Sequence, residues 1–331
     1  MPQLRQNIIT GEWVVFAPER AKRPSDYIYA GHKTKQGKSD CPFCEQNGGS
    51  FDNRIIQFDK DTTYLSPNKF PAFIEDPDGK AGKLFKIEDE FYRMKLSLGG
   101  HDVVVVRDHD QQLPQFTGKI WQDLFETFKD RYLYYGKIEN VQYVMPITNH
   151  GPEAAASLDH PHAQIFASSI VPNIAARELS YTKQYFEENH SCPFCDLIEH
   201  EKKQNTRVLF ENDDFICFTF YAARFPFETW ILPKRHQSRF EKATAGEIDK
   251  LSKICREIFS RYYDVLGNPP LNFFIHSAPL HEKELKHYHW HLEITPRLSN
   301  YGGFEIGSGV IIDIIAPEQA AEYLRLGRAN S

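Results

Sequence analysis

DHPHAQI, residues 159–165, sets His160, His162 and Gln164 at alternate positions. Side chains of an extended strand repeat with a period of two, so both imidazoles and the amide share one face. Taken alone, a His-x-His pair reads as half of a metal site, as a catalytic group, or as two surface histidines. Its surroundings narrow the choice. A second pair, His289 and His291 around Trp290, stands later in the chain, and each pair follows a Cys-Pro-Phe-Cys tetrapeptide: Cys41 to Cys44, then Cys192 to Cys195.

The two halves keep one order of features. The first tetrapeptide is followed by DVVVVRDH ending at His109, a helical pattern, a strand and His160. The second is followed by ETWILPKRH ending at His236, a helical pattern, a strand and His289. The intervals match, 51 residues from His109 to His160 and 53 from His236 to His289. The chain therefore reads as two pseudo-repeats, 1–180 and 181–331, with the catalytic equipment in the first.

Local patterns support the alignment. Ile120, Leu124, Phe128 and Tyr132 recur at helical spacing between an N-cap at Thr117 and a stop at Gly136. Ile248, Leu251, Cys255, Ile258 and Tyr262 do the same between a Thr244/Glu247 capping box and Gly267. Strands are predicted over 102–107, 141–146, 163–168, 215–220, 228–232, 271–275 and 290–296. Runs of strands with one substantial helix per half predict an α+β fold with antiparallel sheets. Residues 181–190 read as a polar helix or connector, 30–39 and 76–83 as loops, and 300–309 as a Gly-rich loop before a helix over 317–326.

Composition bounds the function. With 331 residues there is room for two domains, and Lys plus Arg number 39 against 45 Asp plus Glu, a net charge of −6. That acidity, without a long basic block, excludes nucleic acid as a general partner. No apolar run approaches a membrane span, and MPQLRQNIIT at the start lacks a signal-peptide core, so a cytoplasmic protein without membrane attachment is expected. In a reducing cytosol, C-x-x-C pairs read as metal ligands or a redox couple before disulfides, and duplication argues against the redox couple. Cys217 and Cys255 lie in apolar runs and are expected in the core.

Two thiolates and two imidazoles in a tetrahedral array suit Zn²⁺, and four protein ligands leave no open position for substrate. Cys41, Cys44, His109 and His160 form such a set, predicting a structural zinc that fixes the strand carrying His162. Cys192, Cys195, His236 and His289 supply a second. The histidine intervals are far too long for a DNA-binding zinc finger. With His160 on the metal, His162 is the free imidazole, a competent nucleophile toward phosphorus when its other nitrogen is hydrogen bonded. Gln164 on the same face can donate an amide hydrogen to a phosphoryl oxygen as charge develops. His291 lacks the glutamine two residues on.

With these residues in place, the chain resembles the galactose-1-phosphate uridylyltransferase family, the transferase branch of the histidine-triad superfamily. The likeness runs through PERAKRPSDY (18–27), CPFC (41–44), PNKFPA (67–72), RDHDQQLP (107–114), TNHGPEAAASLDHPHAQI (148–165), RFPFETWILPKRH (224–236) and HYHWHLEITPRLSNYGGFEIGSG (287–309). It implies a histidine-triad-like fold, a homodimer, and ping-pong transfer of a nucleoside monophosphate through a nucleotidyl-His162 intermediate. The implied partners are a nucleotide sugar with a hexose 1-phosphate or phosphate. Also implied are phosphoryl stabilisation by Gln164, phosphate contacts from Arg20, Arg23, Asn149 and Ser157, and a nucleoside pocket that includes Asn68 and Phe70. Some relatives build the second metal site from a Glu and three histidines, here Glu178, His276, His289 and His291. The presence of Cys192 and Cys195 favours the cysteine set.

Two departures bear on substrate. The best-known members carry an acid where Lys69 stands and a hexose-gripping glutamine where Ile311 or a neighbour stands, and GGFEIGSG is more like the branch that includes ADP-glucose phosphorylase. The first expectation is UDP-glucose with galactose 1-phosphate; the alternative is adenylyl transfer from ADP-glucose to phosphate. Nucleotide hydrolysis is disfavoured because Gln164 cannot protonate a leaving group. A silent zinc-binding module would bind metal and form no covalent nucleotide.

Overall fold

A computed structural model describes residues 1–18, 29, 37–44, 59–76 and 91–326. Its centre is one antiparallel sheet of nine strands: β3 (Thr63–Pro67), β4 (Gly99–Val106), β5 (Tyr143–His150), β6 (His162–Ser168), β7 (Val208–Glu211), β8 (Phe215–Thr219), β9 (Thr229–Pro233), β10 (Leu271–His276) and β11 (His291–Pro296). Their spatial order is β3-β4-β6-β5-β10-β11-β9-β8-β7. A small second sheet joins β1 (Gln3–Gln6), β2 (Trp13–Phe16) and β12 (Ile311–Asp313). The α+β class with antiparallel sheet is as the sequence predicts.

The duplication is visible in the strand order. β3-β4-β6-β5 of the first half meets β10-β11-β9-β8 of the second, with like strands on either side of a central seam. At that seam β5 and β10 run antiparallel, Asn149 opposite Asn272 and Thr148 opposite Phe273. Registers correspond as well: Gln164 lies opposite Val103, and Glu293 opposite Trp230.

Alternation along the strands sorts the two faces. Ala163, Ile165 and Ala167 of β6, with Leu292 and Ile294 of β11, point into the main core. That core is covered by α1 (Gly118–Tyr135), α4 (Ala245–Leu266) and α6 (Pro317–Leu326), whose rings interlock, Trp121 lying 4.7 Å from Phe259. Thr117 caps α1 by accepting from Ile120 N, and the Thr244/Glu247 capping box is complete on α4. Gly267 ends α4 at φ 73°, a left-handed conformation that disfavours side chains with a Cβ. Cys217 and Cys255 are fully buried in this core.

The opposite face differs between halves. In the second half it is sealed by Val14 and Phe16 of β2, by Ile9 from the turn between β1 and β2, and by Phe194, Leu197 and Ile198 of α3 (Pro193–Gln204). In the first half it carries a compact cluster of Cys41, Phe43, Cys44, Tyr64, Val103 and Val105, and beyond it His162 and Gln164 stay only partly buried.

The segment read as a helix or connector over 181–190 is helical, as the C-terminal part of α2 (Asn173–Asn189). Two other expectations need correction. The second half holds more helix than one per repeat, because Cys192 is the N-cap of α3. Residues 300–309 are not all loop: α5 (Gly303–Ser308) forms there, with the Glu305 carboxylate accepting from Gly302 N at 2.9 Å. The predicted loops lie partly outside the described residues.

Candidate active site and metal centres

The first tetrapeptide forms a tight turn, Cys44 N donating to Cys41 O at 3.2 Å, which brings both thiols to one side. His109 arrives just beyond β4, and His160 just before β6. Cys41 Sγ and His160 Nδ1 are 3.3 Å apart, Cys44 Sγ and His109 Nδ1 3.3 Å, Cys44 Sγ and His160 Nδ1 3.7 Å, and the two Nδ1 atoms 3.1 Å. Tetrahedral zinc with ordinary Zn–S and Zn–N bonds needs S···N edges of about 3.5 Å and N···N edges of about 3.3 Å. The four side chains fit such an ion. His160 Nε2–H donates to Val106 O at 2.6 Å, which leaves Nδ1 as the metal-facing lone pair. Burial pushes His160 down to about 4, so its ring is neutral at pH 7.

The second set repeats this geometry. Cys195 Sγ is 3.6 Å from His236 Nδ1 and 3.5 Å from His289 Nε2, those nitrogens are 2.9 Å apart, and Cys192 completes the group. His236 Nε2–H donates to Leu285 O at 2.9 Å, as His160 does to Val106. The cysteine set expected for the second site is therefore brought together. Glu178, His276 and His291 form a separate buried group with Glu293 instead. His276 Nδ1 lies 2.8 Å from Glu178 Oε1, Tyr288 donates to Glu178 Oε2 at 2.7 Å, and His291 Nε2 faces Glu293 Oε1 across 3.3 Å. The alternative ligand set is thus split: His289 goes to the cysteines, His291 to the carboxylates.

Each tetrapeptide phenylalanine braces its own histidine pair. Phe43 packs edge-on against His160 and His162, with ring centroids 5.7 and 5.2 Å apart. Phe194 stacks on His289 at 5.7 Å and touches His291 at 5.1 Å.

His162 Nδ1 lies 2.8 Å from the carbonyl oxygen of His160. A carbonyl can only accept, so Nδ1 carries the proton and Nε2 keeps its lone pair. Burial holds the ring below the usual imidazole range, which keeps it neutral. Extending the β5/β6 register past Thr148 opposite Ala163 places Asn149 across from His162. Asn149 lines a cavity of about 290 Å³ with His109, His160 and Pro161, and Ser157 sits between its lining residues Ala156 and Leu158. Asn149 Oδ1 accepts from Asn272 Nδ2 at 2.8 Å, across the seam.

A second cavity of about 330 Å³ is lined by Asn68, Phe73, His101, Asp102 and Arg131 among others. Asn68 Oδ1 accepts from Phe70 N at 2.9 Å, shaping a turn. Phe70 itself is 80% exposed and lies outside that lining, neither a core aromatic nor a wall of this cavity. Lys69 Nζ sits 5.6 Å from the Phe70 ring. Arg20 and Arg23 lie outside the described residues. The sequence reading missed His101, which contacts Gln164, and it marked the place of Glu293 in the second half only by the lack of a glutamine, without its ionic partners. The repeat alignment carried the signal for Glu293; nothing in composition marks His101.

Models of the galactose-1-phosphate uridyl transferase N-terminal and C-terminal domains match residues 1–172 and 178–329. The chain belongs to the galactose-1-phosphate uridyl transferase family. That membership makes it an enzyme of the nucleotidyltransferase type. Among relatives of the family, ADP-glucose phosphorylase of Arabidopsis thaliana is 32% identical, the match covering 98% of this chain and 92% of the relative. Galactose-1-phosphate uridylyltransferase of Thermotoga maritima is 29% identical, with 98% of each covered. A crystal structure of the Arabidopsis ADP-glucose phosphorylase with bound ADP-glucose superposes with a TM-score of 0.82 at 29% identity, covering 98% of this chain and 99% of that one. No helix among the described residues is long and apolar enough to cross a membrane.

Proposed function

We propose that the protein moves a nucleoside monophosphate from a nucleotide sugar to a phosphate-bearing acceptor through a covalent nucleotidyl-His162 intermediate. The observation that carries this reading is the 2.8 Å hydrogen bond from His162 Nδ1–H to His160 O, which aims an unprotonated Nε2 from a half-open strand face. Nε2 attacks the phosphorus bonded to the nucleoside, the bond to the sugar phosphate breaks, and the hexose 1-phosphate leaves. The acceptor's phosphate oxygen then attacks the same phosphorus and frees Nε2. Gln164 donates to the phosphoryl oxygens as charge builds on them. Asn149, Ser157, Asn68, Phe70, Arg20 and Arg23 are the proposed substrate-binding residues.

Two zinc ions are proposed, one held by Cys41, Cys44, His109 and His160, the other by Cys192, Cys195, His236 and His289. Bound there, each cross-links the ends of strands; neither enters the reaction. The repeats 1–180 and 181–331, a homodimer and a cytoplasmic setting go with the family resemblance.

UDP-glucose with galactose 1-phosphate is the first substrate reading, supported by the family and by the Thermotoga relative. Adenylyl transfer from ADP-glucose to phosphate is favoured by the higher identity to ADP-glucose phosphorylase over nearly the whole chain, and by Lys69 in place of an acid. Incubation with UDP-glucose or ADP-glucose, each labelled at the phosphorus next to the nucleoside, tests both. Acid-labile, base-stable label is expected on the wild type and absent from His162→Gly. The donor that labels names the base, and a chase with galactose 1-phosphate or phosphate names the acceptor. A wild type unlabelled by either donor ends the proposal.

A further inference from the structure

His101 belongs to β4, two residues from Val103, which lies opposite Gln164. It is thereby a diagonal neighbour of Gln164 on the open face of the sheet. Its ring is placed from three sides. Phe166 stacks on it with centroids 4.0 Å apart, Ala72 N donates to its Nδ1 at 3.2 Å, and Gln164 Oε1 lies 2.8 Å from its Nε2. Gly100 just before it admits Tyr135, since a Cβ there would meet the tyrosine hydroxyl at 2.1 Å.

These contacts fix the protons. A main-chain N–H can only donate, so Nδ1 of His101 accepts and the neutral ring carries its hydrogen on Nε2. Gln164 Oε1 is the acceptor within reach. Asn68 Nδ2, at 3.2 Å from Nε2, meets it as one N–H beside another, because Asn68 Oδ1 is already committed to Phe70 N. With Oε1 tied to His101, the Gln164 amide is locked against a flip, and its NH₂ group makes no hydrogen bond among the described residues.

The second half couples the same two register positions by other means. There Glu293 stands for Gln164 and Glu228 for His101, and Arg224 bridges both carboxylates. Where the face is sealed, a cation joins the pair. Where it is open, a neutral imidazole does so and leaves two N–H donors unspent.

Resting on the reading of His162 and Gln164 above, we propose that His101 is a positioning residue for nucleotidyl transfer: its Nε2–H holds Gln164 Oε1 so that the amide presents its hydrogens to the phosphoryl group under attack by His162. Without that bond the amide turns freely, and its oxygen faces the developing negative charge as often as its nitrogen does.

Single-turnover labelling by UDP-glucose, or by ADP-glucose if that is the donor that labels the wild type, provides the test. His101→Phe keeps a ring against Phe166 and removes both nitrogens; His101→Gln keeps an N–H donor at the far end. His101→Phe is expected to slow labelling by about tenfold to a hundredfold, part of what an oxyanion donor contributes, while the donor concentration for half-saturation changes little. His101→Gln recovers most of the rate. Adding His101→Phe to Gln164→Ala slows labelling no further than Gln164→Ala alone, because the two act as a unit. Wild-type rates in His101→Phe, multiplicative effects in the double variant, or no advantage of His101→Gln over His101→Phe each overturn the positioning role. A wild type that takes no label overturns the underlying reading, and this proposal with it.

Discussion

His160 serves His162 through its own backbone: the carbonyl oxygen of His160 accepts the Nδ1 proton of His162 at 2.8 Å, while the His160 ring faces Cys41 and Cys44. A metal ion held by that ring would fix the peptide plane that orients the neighbouring imidazole. Removing metal with a chelator is expected to slow nucleotide labelling by about tenfold to a hundredfold, although His162 is not a ligand. Labelling rate and metal content, followed together through stripping and zinc restoration, should fall and recover in step. Undiminished labelling in metal-free protein would detach the two.

Elemental analysis should find two zinc ions per chain. Cys44→Ser and Cys195→Ser should each lower that content by one, at different sites. A content of one would remove the second centre. A content of three would place an ion among Glu178, His276, His291 and Glu293, where His291 Nε2 and Glu293 Oε1 lack hydrogen-bond partners.

Stability should fall as pH rises toward mild alkalinity, because of Asp313. Burial pushes its carboxyl from the ordinary 3.8 up to about 8, and its Oδ2 has no hydrogen-bond partner. Below the ordinary value both folded and unfolded states hold the proton. Between the two values the unfolded chain ionises first and is favoured, and the loss levels off above the folded value. Each pKa unit is worth about 1.4 kcal/mol, so the effect is of the order of a few kcal/mol. Denaturant titrations at several pH values should show Asp313→Asn gaining on the wild type as pH rises; parallel pH profiles would rule Asp313 out as the cause.

Thr244→Ala should cost about 1 kcal/mol by breaking a two-sided cap: Glu247 N donates to Thr244 Oγ1 at 3.2 Å and Thr244 N to Glu247 Oε2 at 2.7 Å. Because α4 covers the core face away from His162, labelling activity should stay unchanged in the same variant. A shift in denaturation midpoint with normal labelling is the expected pair of results.

Legibility in the sequence followed the range of the forces involved. Helices with an apolar stripe and a cap announced both ends, so Thr117, Gly136, Thr244 and Gly267 stand where the pattern puts them. The strands of the core were readable as apolar runs, though β4 begins at Gly99, ahead of the run, because Gly99 and Gly100 admit Ala167 and Tyr135 at close range. The small sheet was not readable: β1 and β2 are four residues each and β12 three, too short for a periodic signal. α3 was hidden because Cys-Pro-Phe-Cys reads as a metal knuckle, while Pro193 is also a good first helical residue. The two Cys₂His₂ sets were legible because duplication printed their spacing twice. His101 was not, since its bond to Gln164 depends on strand register, which no single segment encodes.

The seam between β5 and β10 gives the molecule the plan of a two-subunit protein written as one polypeptide. A symmetric pair of separate subunits must mutate together, so any residue that seals one face seals both. Here the faces can drift apart, and they have: Glu293 and Arg224 occupy one side while Gln164 and His101 keep the other clear. Bulky apolar replacements should therefore act differently on the two sides: behind the fully buried His291 they overpack a sealed core and cost stability, while beside the partly buried His162 they fill a face that is open and cost labelling before stability.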